Sequence, residues 1–152
     1  MKTRFFLPIA LIVLSMTLGR AQNYKVAHID SVGEVKDGYG KVVGSITIEG
    51  TVRNTLGVKM AFIDKGLELV EVKGGRKMGL TKWNGDFTPY YLGSPISPWT
   101  MSSASNGVCF LKDSKHNVIA EVNETYKKFG ACAVHFFDDQ AKYDEAKAKK
   151  KQ

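Results

Sequence analysis

A four-residue pattern that recurs along the chain constrains its fold more than any other feature of the sequence. The pattern is a branched or long apolar residue, then Gly or Ala, then a variable residue, then a β-branched residue. Its first copies recur every 17 to 18 residues. Because self-similarity at a fixed spacing is the signature of repeat architectures, we expect one small unit to be used several times. The copies are Val26-Ala27-His28-Ile29, Val43-Gly44-Ser45-Ile46, Met60-Ala61-Phe62-Ile63, Met78-Gly79-Leu80-Thr81 and Ile119-Ala120-Glu121-Val122.

Each copy after the first follows a candidate strand and a turn, so the repeating unit is predicted to be a β-hairpin. The strand segments are rich in Val, Ile, Phe and Thr, which favour β-structure. Most turns begin with Asp or Asn and continue with Gly, or with a residue that tolerates a positive φ. Asp37, Asn54 and Asp113 are therefore interpreted as turn caps and not as ligands of a metal ion. The predicted hairpins span residues 33–47, 50–64, 66–82 and 107–123.

The small residue inside the pattern predicts a position that other groups approach closely. In a regular strand Val43 and Ile46 would face opposite sides of the sheet, because side chains alternate. Two arrangements explain their spacing: the sheet is covered on both faces, or a β-bulge at Gly44 turns both apolar side chains to one face. In either case the small residues are expected to form a ring of equivalent positions, at Ala27, Gly44, Ala61, Gly79 and Ala120.

The ends of the repeat region predict a closed arrangement. Tyr24–Asp30 contains a copy of the pattern without a first strand, and Gly130–Asp138 is a candidate first strand without a second one. Pairing of Val26–Ile29 with Ala131–Phe136 would complete a fifth hairpin and leave no exposed sheet edge. The predicted fold is therefore all-β: a closed circular array of about five β-hairpins, propeller- or barrel-like, sealed by pairing of the N- and C-terminal strands.

The hairpin Lys36-Asp37…Gly40-Lys41-Val42-Val43-Gly44-Ser45-Ile46, with its echoes between about residues 24 and 139, resembles the small secreted bacterial proteins called five-fold β-flower proteins. The resemblance implies an exported β-hairpin array. It supplies no catalytic residues and implies no assigned role.

One stretch, residues 83–106, departs from the repeat and is rich in aromatic residues and Pro. The step from Met78 to Ile119 is much longer than one period. The stretch is predicted to be a loop grown out of one hairpin, because its three prolines fit poorly in central strands. The alternative is a sixth, degenerate unit with Gly85–Gly93 as its first strand and Ile96–Trp99 as the remnant of the pattern.

The N-terminal segment, residues 1–21, is predicted to be a signal peptide. Lys2 and Arg4 precede an apolar run from Phe5 to Leu14, and small residues follow up to a cleavage site before Gln22. The run is too short to span a bilayer, so no transmembrane segment is expected. The protein is therefore predicted to be exported to the periplasm, the outer envelope surface or the medium.

The basic charge is concentrated at the two ends of the chain. The formal net charge is +7; the signal region and the tail, residues 140–152, contribute about +3 each, so the repeat domain, residues 22–139, carries about +1. The Lys-rich tail is predicted to be a short frayed helix or disordered. A nearly neutral body argues against a nucleic-acid groove, which requires clustered Lys and Arg, so no nucleic-acid partner is expected.

The sequence contains no catalytic, metal-binding or cofactor-binding signature. His28, His116 and His135 are far apart, and no pair has the spacing of metal ligands. Each is interpreted as structural: His116 as a turn residue, His135 as part of an apolar strand. The serine-rich stretch lacks the G-x-S-x-G turn of a hydrolase nucleophile. Neither a metal ion nor a cofactor is therefore expected.

Cys109 and Cys132 occupy the same place in their units, two residues after a Gly. Val35 and Val52 hold this place in the first two hairpins, so the cysteines are either two small core residues or a disulfide between neighbouring units, which export permits. The disulfide is the preferred prediction. A reactive thiol is the least expected, since no base lies in register beside either cysteine.

The candidate ligand-binding residues are Trp83, Tyr90, Tyr91 and Trp99, because the repeat does not explain them and aromatic side chains form efficient contact surfaces. They are expected either to plug one end of the closed sheet, the preferred interpretation, or to bind a ligand. The leading hypothesis is an exported, non-enzymatic β-repeat protein that serves as a binding or envelope-associated structural module. The alternative is a carbohydrate- or peptide-binding module that uses the aromatic segment. A hydrolase with no recognisable motif is the third.

Overall fold

Twelve short strands and a C-terminal helix make up residues 26–151, the part of the chain that the computed structural model describes. The predicted signal peptide, residues 1–21, lies outside this part. A 3-10 helix spans Glu124–Tyr126, and the helix α1 spans Gly130–Lys150. The strands are β1 Ala27–Ile29, β2 Glu34–Lys36, β3 Val42–Ile46, β4 Val52–Asn54, β5 Lys59–Ile63, β6 Glu68–Glu71, β7 Lys77–Thr81, β8 Phe87–Tyr91, β9 Ser94–Pro95, β10 Thr100–Met101, β11 Val108–Lys112 and β12 Val118–Asn123.

The strands form one sheet in which neighbours in sequence are mostly neighbours in space. The order is β10-β11-β12-β1-β2-β3-β4-β5-β6-β7-β8-β9. Neighbouring strands are antiparallel, except that β1 runs parallel to β12. The prediction of an all-β fold holds in its coarser part: the structure is mainly β and is built from successive hairpins. Short turns make each strand the neighbour of the next, except β9 and β10, which lie at the two ends of the order.

Five of the described turns share one design, in which an acid or amide side chain caps the backbone. Oδ1 of Asp37 accepts the N–H groups of Tyr39 and Lys41, at 2.9 and 3.0 Å. Gly40 lies between them with a φ of 81°, a left-handed conformation that Gly adopts without strain. The predicted role of these residues as turn caps is confirmed. The same pair of hydrogen bonds, to the residues two and four positions ahead, is made by Asp30, Asn54, Asp64 and Asp113.

A β-bulge accounts for the recurring four-residue pattern. In the β2–β3 ladder Val35 pairs with Gly44 and Lys36 with Val42, so Val43 is an extra residue. The bulge therefore lies one residue before the predicted position, Gly44. It allows Val43 to pack partly against the core that contains Ile46. The ladders skip the equivalent first residue in three further copies, at Met60, Met78 and Ile119.

The small residues of the pattern are buried at four of their five positions. Gly44, Ala61, Gly79 and Ala120 are buried, and Ala27 is half-buried. A Cβ atom at Gly44 would collide with the Phe137 ring of α1 and with the Arg53 carbonyl of β4. The small residue is therefore needed because a helix side chain and a neighbouring strand converge on it.

The segment predicted to be the closing strand is helical, so that prediction is wrong. Ala131–Phe136 lies inside α1, and β1 pairs with β2 and β12. All residues from 130 to 137 are buried, and α1 contacts β3, β7 and β8. A helical segment that is apolar on nearly every side must be packed against other parts of the protein on every side, and strands from separate parts of the sheet contact it. The helix continues to Lys150, so the predicted boundary between repeat domain and tail at residue 139 does not separate two elements.

The sheet is not closed as a continuous ladder of strands. Its order ends at β9 and β10, and the closed five-hairpin array is not seen. The two ends approach each other through an isolated bridge in which the Phe87 and Trp99 backbones exchange hydrogen bonds of 3.1 and 2.7 Å. Trp99 immediately precedes β10, so this contact joins the last long strand to the start of the order.

The aromatic stretch predicted to be a loop forms part of the sheet. Phe87–Tyr91 is β8, which pairs with β7 on one side and with β9 on the other. Pro89 has no N–H to donate to a neighbouring strand, but its carbonyl still takes part in the pairing and accepts a hydrogen bond from the Ile96 N–H at 2.9 Å. The alternative of a degenerate hairpin that begins within 85–93 therefore describes this stretch better than a loop.

Candidate functional site

A large cleft opens beside the exposed half of α1. It has a volume of about 1160 Å³, and its walls come from the start of β5, the β6–β7 turn, the β8–β9 hairpin and the helix between His135 and Asp144. The cleft exists because α1 is longer than the sheet that surrounds it, since every residue after Gln140 in the helix is exposed. We call this feature the helix cleft.

Aromatic side chains from both the hairpin and the helix line the helix cleft. Tyr90, Tyr91 and Trp99, three of the four predicted binding residues, belong to the hairpin side, and Tyr143 belongs to the helix side. Tyr91 and Tyr143 are each 66% exposed, whereas Tyr90 and Trp99 are half-buried. The aromatic residues are thus neither a buried plug nor fully solvated. Tyr91 and Tyr143 keep exposed ring surface in the cleft.

Trp99 is held in place by aromatic packing at the base of the cleft. Its ring centre lies 5.8 Å from that of Phe87 and 5.7 Å from that of His135, the latter in an edge-on arrangement. Phe87 belongs to the core, with 1% exposure. Trp99 therefore connects the core to the cleft, which explains why most of its surface is buried while part of it stays exposed.

His135 lies beneath this wall of the cleft and is 8% exposed. Burial lowers the pKa of its imidazole below the ordinary value, although the carboxylates of Asp139 and Asp138 and a hydrogen bond with the Met78 backbone oppose the effect. Its Nε2 atom has no hydrogen-bond partner among the described residues. His135 is therefore neutral near pH 7, and the fold bears the cost of one unsatisfied buried nitrogen.

An ion-pair cluster ties the helix to the opposite wall. The Nη2 atom of Arg76 lies 2.8 Å from an Asp139 oxygen on α1 and 3.0 Å from a Glu71 oxygen on β6. The hydrogen bond with Asp139 raises the pKa of Arg76, and Glu71 adds to this effect, while partial burial opposes it. These groups are partly exposed, so the cluster fixes the position of the helix more than it stabilises the fold.

A second polar group supports Tyr90. Its hydroxyl lies 3.4 Å from Oε2 of Glu68, while the other carboxylate oxygen, Oε1, accepts a hydrogen bond from Lys77 Nζ at 2.8 Å. Partial burial raises the pKa of the Tyr90 hydroxyl, and the charge of Glu68 raises it further. Tyr90 is therefore a fixed, uncharged part of the wall.

Trp83, the fourth predicted binding residue, lies away from the helix cleft. It is in the β7–β8 turn, 67% exposed, and the ammonium group of Lys128 lies 3.5 Å from its ring centre. It borders a shallower depression with Phe129, at the end of the molecule where α1 begins. Strand β8 begins near this end of the molecule and ends at Tyr91. Trp83 and Tyr91 therefore lie beyond or at opposite ends of β8.

The two cysteines are free thiols, so the preferred disulfide is not formed. Cys109 is a core residue of β11, as the alternative prediction required, whereas Cys132 lies in α1 and not in a strand. Burial raises the pKa of Cys132 to about 12, and burial also raises the pKa of Cys109. Both thiols are therefore protonated and inaccessible.

The lining of the helix cleft combines charged and aromatic side chains. It contains four carboxylates and four basic side chains, and no Ser, Thr or Cys. Within residues 26–151 no group of three His, Cys, Asp or Glu side chains is arranged to hold a metal ion. Over the same residues, no helix has the length and hydropathy needed to cross a membrane.

Comparison with other proteins adds no relatives. No protein-family model matches the chain, and no match was found among curated proteins or solved structures. The resemblance to β-flower proteins therefore stays a prediction.

Sequence reasoning missed the helix side of the site and the arginine that pairs with it. Arg76, His135, Asp139 and Tyr143 all face or border the helix cleft, but none was a candidate. The available signal was the Ala- and Lys-rich composition after residue 140, which has high helix propensity and could have extended a helix back into the apolar run.

Proposed function

We propose that this protein is an exported, non-enzymatic binding module whose ligand occupies the helix cleft. The observation that carries the proposal is the convergence of Tyr91 from the β8–β9 hairpin, Trp99 from the segment before β10 and Tyr143 from α1 around one cleft of about 1160 Å³. Cavities of this size that combine aromatic surface with a few polar groups are typical of ligand sites.

The rigidity of the walls supports binding. The β8–β9 hairpin contains two prolines and is joined to the segment before β10 by the Phe87–Trp99 bridge. The ion pair between Arg76 and Asp139, with 2.8 Å between its nitrogen and oxygen atoms, holds the helix against the β6–β7 turn. Walls that are ordered before binding lose little entropy when a ligand enters.

We also propose that the sheet closes into a ring around α1 in solution, through the Phe87–Trp99 contact and not through the chain termini. Two backbone hydrogen bonds already span this gap. Amide hydrogen exchange tests the closure: protection of the Phe87 and Trp99 N–H groups equal to that of β7 supports it. Exchange as fast as in the exposed turns contradicts it.

The experiment that tests the function compares two exposed aromatic residues. The purified protein, expressed from the full-length gene, is immobilised and challenged with neutral glycans, acidic glycans and peptides. Tyr91→Ala is expected to abolish retention, whereas Trp83→Ala, at the opposite end of β8 and equally exposed, is expected to preserve it. Equal retention by both variants, or release of shortened products from any ligand, contradicts the proposal.

Export is tested on the same preparation. Mass spectrometry of protein recovered outside the cytoplasm is expected to show a chain that begins at Gln22. A chain that keeps residues 1–21 contradicts the predicted cleavage.

A further inference from the structure

The charges around the helix cleft indicate the class of ligand. Among its lining residues the four carboxylates, Glu71, Asp138, Asp139 and Asp144, are balanced by four basic groups, Lys59, Lys73, Arg76 and Lys142. Most of these charges compensate one another in contacts such as Arg76–Asp139 and Lys142–Asp138, at 2.8 and 3.0 Å. A site that selects an anion or a cation shows an excess of the opposite charge, so this balance favours an uncharged ligand.

The sheet edge beside the cleft disfavours a peptide bound as an added strand. A peptide bound in this way needs a row of free backbone N–H and C=O groups along an exposed edge. The edge strand here, β9, has only two residues, Ser94 and Pro95, and Pro has no N–H. The hairpin therefore offers almost no backbone for strand addition.

The aromatic groups on the two walls suit a sugar ring. Tyr91 on β8 and Tyr143 on α1 line the cleft from opposite sides and keep two-thirds of their surface free. Flat rings of this kind pack against the C–H faces of sugars. Near Tyr143, the Gln140 amide and the Asp144 carboxylate also line the cleft and make no hydrogen bond to any described residue, so both remain available to hydroxyl groups.

From these observations we propose that the helix cleft binds an uncharged glycan segment, with a sugar ring between Tyr91 and Tyr143 and its hydroxyl groups on Gln140 and Asp144. This inference rests on the proposed function and narrows its ligand. It assigns to the C-terminal half of α1 a role in binding that goes beyond support of the sheet.

Calorimetric titration of the full-length expressed protein tests the inference. The probes are neutral β-1,4-linked hexamers of glucose, N-acetylglucosamine, mannose and xylose, with hexagalacturonate as the charged glycan and an uncharged tyrosine-containing octapeptide as the peptide. At least one neutral hexamer is expected to bind, and the charged glycan and the peptide are expected to bind at least about tenfold more weakly.

Variants of Tyr143 identify the helix contribution. Because Tyr143 is exposed, Tyr143→Ala is expected to keep the melting temperature while weakening glycan binding about tenfold. Tyr143→Phe retains the ring and is expected to stay within about threefold of the parent protein. Trp83→Ala is the control and is expected to change nothing in the titration.

The outcomes separate the two proposals. Tyr91-dependent binding of the peptide or of the charged glycan, without binding of any neutral hexamer, overturns the ligand class and leaves the binding function standing. Neutral-glycan binding that is lost in Tyr91→Ala but unaffected in Tyr143→Ala overturns the role of the helix. Absence of binding to every probe overturns both.

Discussion

The substitution Gly44→Ala tests whether the recurring small residue is required by packing. A Cβ atom at this position would lie inside the contact distance of the Phe137 ring and of the Arg53 carbonyl oxygen. The ring can move slightly, but the carbonyl belongs to β4, which is paired with β3 through Gly44 and Asn54. The added methyl group therefore cannot be accommodated without distortion of the ladder or displacement of the helix.

The size of the effect follows from two opposing contributions. Overpacking against a ring and a fixed carbonyl costs about 2–3 kcal/mol. The smaller conformational entropy of Ala in the unfolded chain offsets about 0.5–1 kcal/mol. The expected net loss is thus about 2 kcal/mol, which corresponds to a fall of about 1 M in the urea midpoint for a protein of this size.

Gly66→Ala is the matched control for this substitution. Gly66 lies in the turn before β6 without a positive φ, and its added Cβ would make only an ordinary contact with Asp64, at 3.4 Å. Its urea midpoint is expected to stay unchanged or to rise slightly. In the double variant with Phe137→Leu, the loss caused by Gly44→Ala is expected to shrink, because the smaller side chain vacates space. Equal midpoints for Gly44→Ala and Gly66→Ala would refute the packing argument.

Three further outcomes are expected. Trp99→Ala should lower the free energy of unfolding by about 2 kcal/mol, since only part of the ring is buried, whereas Trp83→Ala should cost less than about 1 kcal/mol; thermal melts compare them. Because burial lowers the pKa of His135, stability should be full above about pH 6.5 and should decline as the pH falls towards the folded-state pKa; His135→Gln should flatten this slope, measured by urea titrations. Cys109 and Cys132 should not react with a thiol reagent in the folded protein but should both react after unfolding without reductant; an absence of reactive thiols in the unfolded chain would show a disulfide.

Local chemistry in the sequence was sufficient to predict the hairpins. Asp37 and Asn54 form the predicted turns because the hydrogen bonds they make reach only two and four residues ahead. The recurrence of the Gly44 pattern predicted a close approach for a similar reason, since each unit repeats the same backbone geometry; a bulge was one of the two arrangements that explained it. Asp30 and Asp64 cap the turns between the hairpins in the same way, by accepting the N–H four residues ahead. The sequence analysis overlooked these two caps.

The sequence also identified three of the aromatic residues of the candidate site, but not their partners. Tyr90, Tyr91 and Trp99 were recognisable because the repeat did not account for them. Trp83 met the same criterion and lies at the other end of β8. The stretch was predicted to be a loop, so the sequence did not indicate that a strand separates Trp83 from Tyr91. The grouping of the aromatic residues therefore required the coordinates.

The fate of residues 130–138 shows where sequence reasoning stops. These residues include a run of eight buried residues, all apolar except His135. The run lacks both the alternation of a half-buried strand and the one-sided stripe of a surface helix, so its periodicity does not distinguish a strand from a helix. Burial of backbone polar groups in the middle of a curved sheet requires internal hydrogen bonds, and a helix supplies them within its own segment. The sequence alone therefore determined the turns and the small positions, which depend on neighbouring residues, and it left the bulges as one of two alternatives. The tertiary structure decided that the apolar run forms a helix packed against the sheet and that this helix forms one wall of the cleft, because both depend on contacts between residues far apart in the chain.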